Sequence, residues 1–164
     1  MPAHDAFLAR PGLPGALGAL MDETARASEE FCSLIESLPS ERFRRERPSA
    51  DPDTTSIRAI CIHAVGAAHR YADYIRKARG LPYTDRFQLD PERVLSPADV
   101  RPLLAEALRY TEEAVEGLHE ARDEEVAAIT FQVRWGPIFD IEMILEHGIV
   151  HLLRHRRQVE RWEA

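Results

Sequence analysis

Apolar residues recur at helical spacing along four stretches of the chain, and polar residues fill most of the positions between them. The stretches run from Leu13 to Leu38, from Thr54 to Gly80, from Ser96 to about Glu120 and from Gly136 to Trp162. Each is long enough to bury one apolar face against the others. The pattern predicts an all-α protein built as a four-helix bundle.

The ends of these stretches carry residues that begin and end helices. Asp53 or Thr54 is expected to cap the second helix, and Ser96, followed by a proline, is expected to cap the third. Gly136 and Pro137 are expected to open the last helix. Acidic residues near its start and arginines near its end suit the dipole of one long helix.

The segments between the stretches show no sustained helical period. Residues 39–52 and 81–95 contain prolines and are predicted to be surface connections. Residues 129–135 alternate briefly in polarity, which is typical of a short extended segment. With 164 residues the chain can bury a core without disulfides, so residues 1–164 are predicted to form a single domain.

The last stretch carries histidines at four-residue spacing, in the run HGIVHLLRH. His155 falls within the apolar stripe, His151 lies on its edge, and His147 projects further round toward a partly polar flank. Side chains four residues apart share a helix face, with Cβ atoms about 5–6 Å apart. Two such imidazoles can bind a single ion at about 2.0–2.1 Å from each nitrogen.

The second stretch adds a further histidine near its apolar side. His63 lies at the margin of that side, whereas His69 projects from the opposite, polar side and is expected to face water. Metal sites in helical bundles are built from inward side chains on facing helices. The candidate ligands are therefore His63, His151 and His155, which would leave coordination positions open for water or a substrate.

Two other interpretations bear on these histidines. A histidine beside an apolar stripe is more often a hydrogen-bonded core residue than a ligand, so a cluster without metal remains an alternative. A diiron centre is disfavoured, because neither Glu142 nor Glu146 stands three residues before a histidine as the Glu-x-x-His motif requires.

Charge limits the classes of function. The formal net charge of −7 disfavours general nucleic-acid binding, which needs a basic field to displace counterions from phosphates. The arginine-rich runs 42–47 and 154–157 are interpreted as solvated loop or helix ends rather than as binding patches. The chain is therefore expected to act without nucleic acid.

Cysteine content and the N-terminal segment bear on the compartment. Cys32 and Cys61 are the only cysteines and lie among apolar residues in predicted helices, as in a reduced cytoplasmic protein. A structural bridge between them stays open. The first twenty residues carry an acid and a histidine early and are broken by prolines, unlike a signal peptide or a membrane span. We expect a cytoplasmic protein that does not bind membranes.

Two segments resemble the DinB/YfiT-like family of metalloenzymes. One is SIRAICIH, which ends at His63, and the other is HGIVHLLRHRRQ, which begins at His147. By position, the resemblance assigns metal binding to His63, His151 and His155. It implies a four-helix bundle in up-down-down-up order, frequent homodimers, and a divalent ion such as zinc or nickel. For some members it implies transfer or isomerisation reactions that use small thiols such as bacillithiol or mycothiol.

The last segment departs from the family pattern. Many members read His-His-Arg-Gly-Gln, whereas here Arg154 precedes His155 and Arg157 replaces the glycine. The departure leaves open a shifted pair of ligands, His147 with His151, and also a degenerate site that has lost its metal.

Residues near the expected mouth of the site have two interpretations. Arg154 or Arg157 either contacts an anionic substrate through its planar guanidinium or forms an exposed ion pair with a glutamate one turn away. Trp135 and Tyr74 either wall a pocket or pack in the core, and core packing is the favoured prediction.

The sequence therefore supports two functions of different classes. One is a metal-dependent enzyme, a thiol transferase or a hydrolase, that acts on a small-molecule thiol or an electrophile. The other is a non-catalytic, stress-related binding or dimerisation protein. A homodimer is expected in either case, because Met143, Val150 and Leu153 are apolar but lie off the stripe that the bundle should bury. The family's damage-inducible name suggests DNA binding, which the charge disfavours.

Overall fold

The protein is largely helical in the computed structural model, which describes residues 6–85 and 87–164. Its helices are α1 (Gly15–Glu36), α2 (Ser40–Arg44), α3 (Ile57–Ala78), α4 (Val100–Ala114), α5 (Asp123–Ala127) and α6 (Ile141–Glu163). Short 3-10 turns span Pro52–Thr54, Pro91–Arg93 and Pro97–Asp99. Residues 1–5 of the N-terminal segment and Arg86 of the 81–95 connection lie outside the described residues.

The long helices enclose a single apolar core. Helix α1 packs against α6 and α4, and α3 packs against α4 and α6. Each contributes fully buried side chains, among them Phe31, Ile35, Ile57, Ile60, Ile75, Leu104, Leu108, Ile141 and Ile144. The predicted all-α class is therefore confirmed. None of the described helices combines the length and apolar character that crossing a bilayer requires.

The last helix begins later than its sequence pattern indicated. Strand β1 (Thr130–Gln132), the predicted extended segment, pairs antiparallel with β2 (Ile138–Asp140), so a hairpin occupies the residues expected to open the helix. Gly136 turns the chain between the strands at φ +116°. Asp140 then caps α6 by accepting a hydrogen bond from the Met143 amide at 2.9 Å.

Two other helices begin or end at residues that differ from the predicted ones. Ser56 caps α3 by accepting a hydrogen bond from the Ala59 amide at 3.0 Å, in place of the expected Asp53 or Thr54. Helix α4 ends at Ala114 rather than near residue 120, because the chain turns away at Gly117, which has φ +81°.

The prediction that His69 faces water is wrong. Its side chain is only 8% exposed, and its ring stacks on Phe87 with centroids 4.1 Å apart. The connection that follows α3 causes this, because its apolar residues Leu89 and Val94 are themselves buried against the bundle. A connection that packs on the polar side of a helix is not visible in the helix's own pattern.

Arginines of the basic run 42–47, predicted to be solvated, also contact other parts of the chain. Arg42 and Arg47 pair with Glu163 at the end of α6, at 3.0 and 3.2 Å. Arg44 donates a hydrogen bond to the Leu95 carbonyl at 3.2 Å. These contacts link the connection after α1 to the end of α6 and to the segment before α4.

Candidate metal centre

Three imidazoles, one from α3 and two from α6, meet in the bundle. The Nε2 atom of His151 lies 2.9 Å from Nε2 of His63 and 3.2 Å from Nε2 of His155. The three candidate ligand atoms all lie within 4.8 Å of one another. His151 and His155 are 6% and 5% exposed, and His63 is partly exposed. The structure thus brings together the three histidines that the sequence singled out.

The local sequence explains why the rings converge. His151 and His155 are one turn apart on the face of α6 that meets α3. Gly148, on the same helix, has no side chain where the Tyr71 ring of α3 lies 3.6 Å from the position a Cβ would take. A Cβ at Gly148 would make an ordinary van der Waals contact with Tyr71, and the imidazole of His63 reaches those of α6 because α3 packs directly against α6.

Outer hydrogen bonds orient two of the rings. The Nδ1 atom of His63 lies 3.1 Å from a carboxylate oxygen of Asp53, and Nδ1 of His155 lies 3.1 Å from the amide oxygen of Gln158. Both partners are acceptors, so each Nδ1 carries the proton and each Nε2 presents a lone pair to the cluster. The lone pairs of His63 and His155 both face Nε2 of His151, which can donate a proton to only one of them, whereas a divalent cation would accept a lone pair from all three rings. The donor set therefore fits a transition metal such as zinc.

Burial keeps the cluster uncharged. Desolvation lowers the pKa of His63 and of His155, and desolvation together with the neighbouring His155 and His63 lowers the pKa of His151 to about 2. All three imidazoles are therefore neutral at physiological pH. The neutral ring is the form that binds a metal ion.

We expect the metal-free protein to lose stability in acid because of His151. Its folded-state pKa lies below the ordinary value of 6.5, so at lower pH the unfolded chain binds the extra proton and is favoured. One such group lowers the free energy of unfolding by about 1.4 kcal/mol per pH unit below roughly pH 6. Urea unfolding at a series of pH values checks this. A His151→Gln variant with an unchanged pH slope would contradict it.

A second expectation concerns the carboxylate beside His63. The Asp53→Ala variant should bind zinc about 10–100-fold more weakly, because an outer partner fixes the tautomer and orientation of its ligand. Competition with a chelating dye measures the affinity. The exposed Asp123 on α5 provides a matched control, and an equal loss in Asp123→Ala would remove the explanation.

His147 lies outside the cluster. Its ring stacks on Trp135 with centroids 4.7 Å apart, and its centroid is 6.5 Å from that of His151. Among the described residues the structure therefore groups His151 with His63 and His155 rather than with His147. Trp135 is 44% exposed, so the prediction that it packs in the core is wrong.

A cleft of about 790 Å³ opens beside His63. Its walls are formed by α3, by the connection after it and by the β-hairpin, and they include Asp53, His63, Gly66, Arg70, Asp73, Tyr74, Lys77, Tyr83, Phe87, Leu89 and Arg134. Tyr74 walls this pocket and also packs against the core, so it takes both of its predicted roles. Of the three clustered histidines, the cleft is lined by His63.

The arginines that depart from the family pattern do not enter the cluster. Arg154 and Arg157 are both exposed, and among the described residues neither forms an ion pair. The predicted pairing with a glutamate one turn away occurs instead at Arg156, which contacts Glu160 at 3.2 Å. The departures therefore leave the arrangement of the three histidines intact.

Sequence reasoning missed the outer partners and the charged wall of the cleft. Asp53 was considered only as a helix cap, and Gln158 only as part of a family pattern. Arg70 and Arg134 were not singled out at all. A spacing of three residues from His155 to Gln158 on one helix face was the one signal that pointed to a contact.

The cysteines contribute no nucleophile to the site. Both Cys32 and Cys61 are buried and free. Burial raises the pKa of Cys32 to about 12 and that of Cys61 well above its ordinary value. Since the thiolate is the reactive form, neither is suited to attack a substrate.

The geometry agrees with a comparison against known families. A family model described as the DinB superfamily matches residues 10–159, a range that contains all three clustered histidines. Comparison with curated proteins gives no significant match. The matched range covers nearly the whole chain, and the chain belongs to the DinB superfamily.

Proposed function

We propose that this protein is a divalent-metal-dependent enzyme in which His63, His151 and His155 bind one zinc or nickel ion. The observation that carries the proposal is the convergence of three neutral Nε2 atoms at the edge of an open cleft. Three protein ligands and an accessible side are typical of catalytic sites, whereas structural zinc sites use four protein ligands.

The proposed reaction is transfer to a small-molecule thiol of the bacillithiol or mycothiol type. When bound, the ion would lower the pKa of a thiol or of water and polarise an acceptor group. The thiol loses its proton to solvent, its sulfur lone pair forms the new C–S bond, and the leaving group departs with its bonding pair. Asp53 and Gln158 hold the ligand rings in place, and the rings of Tyr71 and His155 lie edge-on against that of His151. Water in place of the thiol would make the protein a hydrolase, which is the alternative chemistry.

The helix order proposed for the bundle is up-down-down-up. Cross-helix contacts support it: Arg101 at the start of α4 binds Glu36 at the end of α1, as in an antiparallel pair. Arg76 near the end of α3 binds the Tyr110 carbonyl near the end of α4, as in a parallel pair. In this order α3 and α6 run antiparallel, which sets the His63 ring against the middle of α6.

We also propose a homodimer in the cytoplasm. Met143 and Val150, on the outer side of α6, are 42% and 61% exposed, and Ile138 of the hairpin is 67% exposed. Met143 and Val150 are seven residues apart and so share one face of α6, and large exposed apolar side chains are typical of an interface. Sedimentation should give twice the mass of one chain for the wild type, and a Val150→Glu variant should shift toward the monomer.

A turnover assay distinguishes a metal-dependent enzyme from a non-catalytic binding protein. Zinc-loaded protein is mixed with bacillithiol or mycothiol and 1-chloro-2,4-dinitrobenzene, and thioether and chloride are measured. We expect a rate above the uncatalysed reaction that follows zinc content and disappears in His151→Ala. Zinc bound stoichiometrically with no added rate for any thiol or ester tested would instead support the binding module.

A further inference from the structure

A polar stripe runs along α3 on the face that lines the cleft. His63, Gly66, Arg70, Asp73 and Lys77 follow one another at intervals of three or four residues, and all of them line the cleft. This spacing places them on one side of a helix. The stripe begins at the histidine cluster and leads away from it along the cleft.

Arg70 is the half-buried cation of this stripe. Its Nη1 atom lies 2.9 Å from the position that a Cβ would take at Gly66, one turn earlier. A side chain at that position would collide with the guanidinium, so Gly66 provides the space in which it lies. The arginine therefore folds back along α3 toward His63 instead of extending into solvent.

The nearby carboxylates already have other partners. Asp53 contacts His63 at 3.1 Å, and Asp73 accepts a hydrogen bond from the Tyr110 hydroxyl at 2.6 Å. Within residues 6–85 and 87–164, no carboxylate lies within ion-pairing distance of Arg70. Such a cation differs from Arg76 on the same helix, which pairs with Glu113 at 2.8 Å.

A second positive charge lines the same cleft. Arg134 of the β-hairpin also lines the cleft, and its backbone amide donates to the Tyr74 hydroxyl at 2.9 Å. Burial and the charge of Arg134 lower the pKa of Arg70. A partly desolvated guanidinium with another cation nearby favours the binding of an anion in this part of the cleft.

We propose that Arg70, assisted by Arg134, binds a carboxylate of the thiol substrate while its sulfur lies at the three-histidine cluster. The inference rests on the proposed thiol chemistry and narrows the class of thiol to those that carry a carboxylate, which bacillithiol has and mycothiol lacks. Arg70 offers a planar pair of N–H donors that a carboxylate can accept in a bidentate manner. Neutral thiols of the same size lack this contact.

The test uses the cobalt-substituted protein, whose sulfur-to-cobalt absorption reports a bound thiolate. The probes are 3-mercaptopropionate and 6-mercaptohexanoate, each compared with its own methyl ester. We expect the wild type to bind one of the acids about tenfold more tightly than its ester, from one charge-assisted contact. Arg70→Met should lose this preference without weakening the ester. Arg70→Lys should keep part of it, and the exposed-arginine control Arg161→Met should keep all of it.

The outcomes separate this inference from the proposed thiol chemistry. Equal affinity for acid and ester in the wild type, or a preference that survives in Arg70→Met, overturns the carboxylate site. If cobalt binds but no thiol gives the absorption band, the thiol chemistry is wrong. In that case an NMR titration with succinate decides the anion site: binding that Arg70→Met abolishes supports it, and absent or unchanged binding overturns it.

Discussion

Replacing His151 with alanine is expected to abolish metal binding. Protein purified without a histidine tag should carry about one zinc or nickel ion per chain, and His151→Ala should carry almost none. His151 is the central ligand, since its Nε2 is close to that of both other histidines. Loss of an outer partner alone weakens affinity about 10–100-fold, so loss of this ligand should exceed that range. Elemental analysis and competition titration measure both quantities.

The matched control lies one turn earlier on the same helix. His147→Ala removes an imidazole that stacks on Trp135 and stands outside the cluster, so it should retain the ion at close to wild-type affinity. His155→Ala should behave like His151→Ala. If His147→Ala instead lost the ion, the ligands would be the shifted pair, and the assignment of His155 would be wrong.

Metal should also stabilise the fold strongly. A ligand that binds the folded state alone adds about 4 kcal/mol when its free concentration is a thousand times its Kd. For a domain of this size that corresponds to a rise in Tm of about 8–16 °C. We expect this rise when zinc is added to the chelator-treated wild type, measured by scanning calorimetry. The two helices that supply the ligands, α3 and α6, are then joined through the ion.

Variants of the ligand histidines test whether the rise in Tm comes from metal bound at this site. In His151→Ala and His155→Ala the rise should shrink to a small residual, although the metal-free proteins should remain folded, because the apolar core extends over all four long helices. An equal rise in wild type and variants would mean that zinc stabilises the protein at another site.

The helices were predictable because their apolar positions follow one period over many residues. The stripe of Ile141, Ile144 and Leu152 placed α6 in the core, and the structure buries all three. The helix boundaries were less predictable, because alternative local structures, such as a hairpin, determine where a helix begins or ends. The hairpin that pairs Phe131 with Phe139 removed the expected first turn of α6, and single-helix patterns do not reveal such a pairing.

The residues of the candidate site also differ in how far the sequence could predict them. His151 and His155 could be predicted as ligands from their spacing on one helix, and His63 from its position beside the apolar face of another helix. Asp53 could not, because its contact with His63 depends on the path of a 3-10 turn before α3. Arg70 could not, because its role depends on space at Gly66 and on a cleft wall supplied by the hairpin. His69 was misplaced because a connection, not a helix, covers it.

The most direct measurement is anomalous diffraction at the zinc edge, on crystals of untagged protein grown with one equivalent of zinc. If the three histidines are the ligands, a single strong peak will lie at about 2.0–2.1 Å from Nε2 of His63, His151 and His155. A peak at another place, or rings in the observed arrangement with no peak between them, would contradict that assignment.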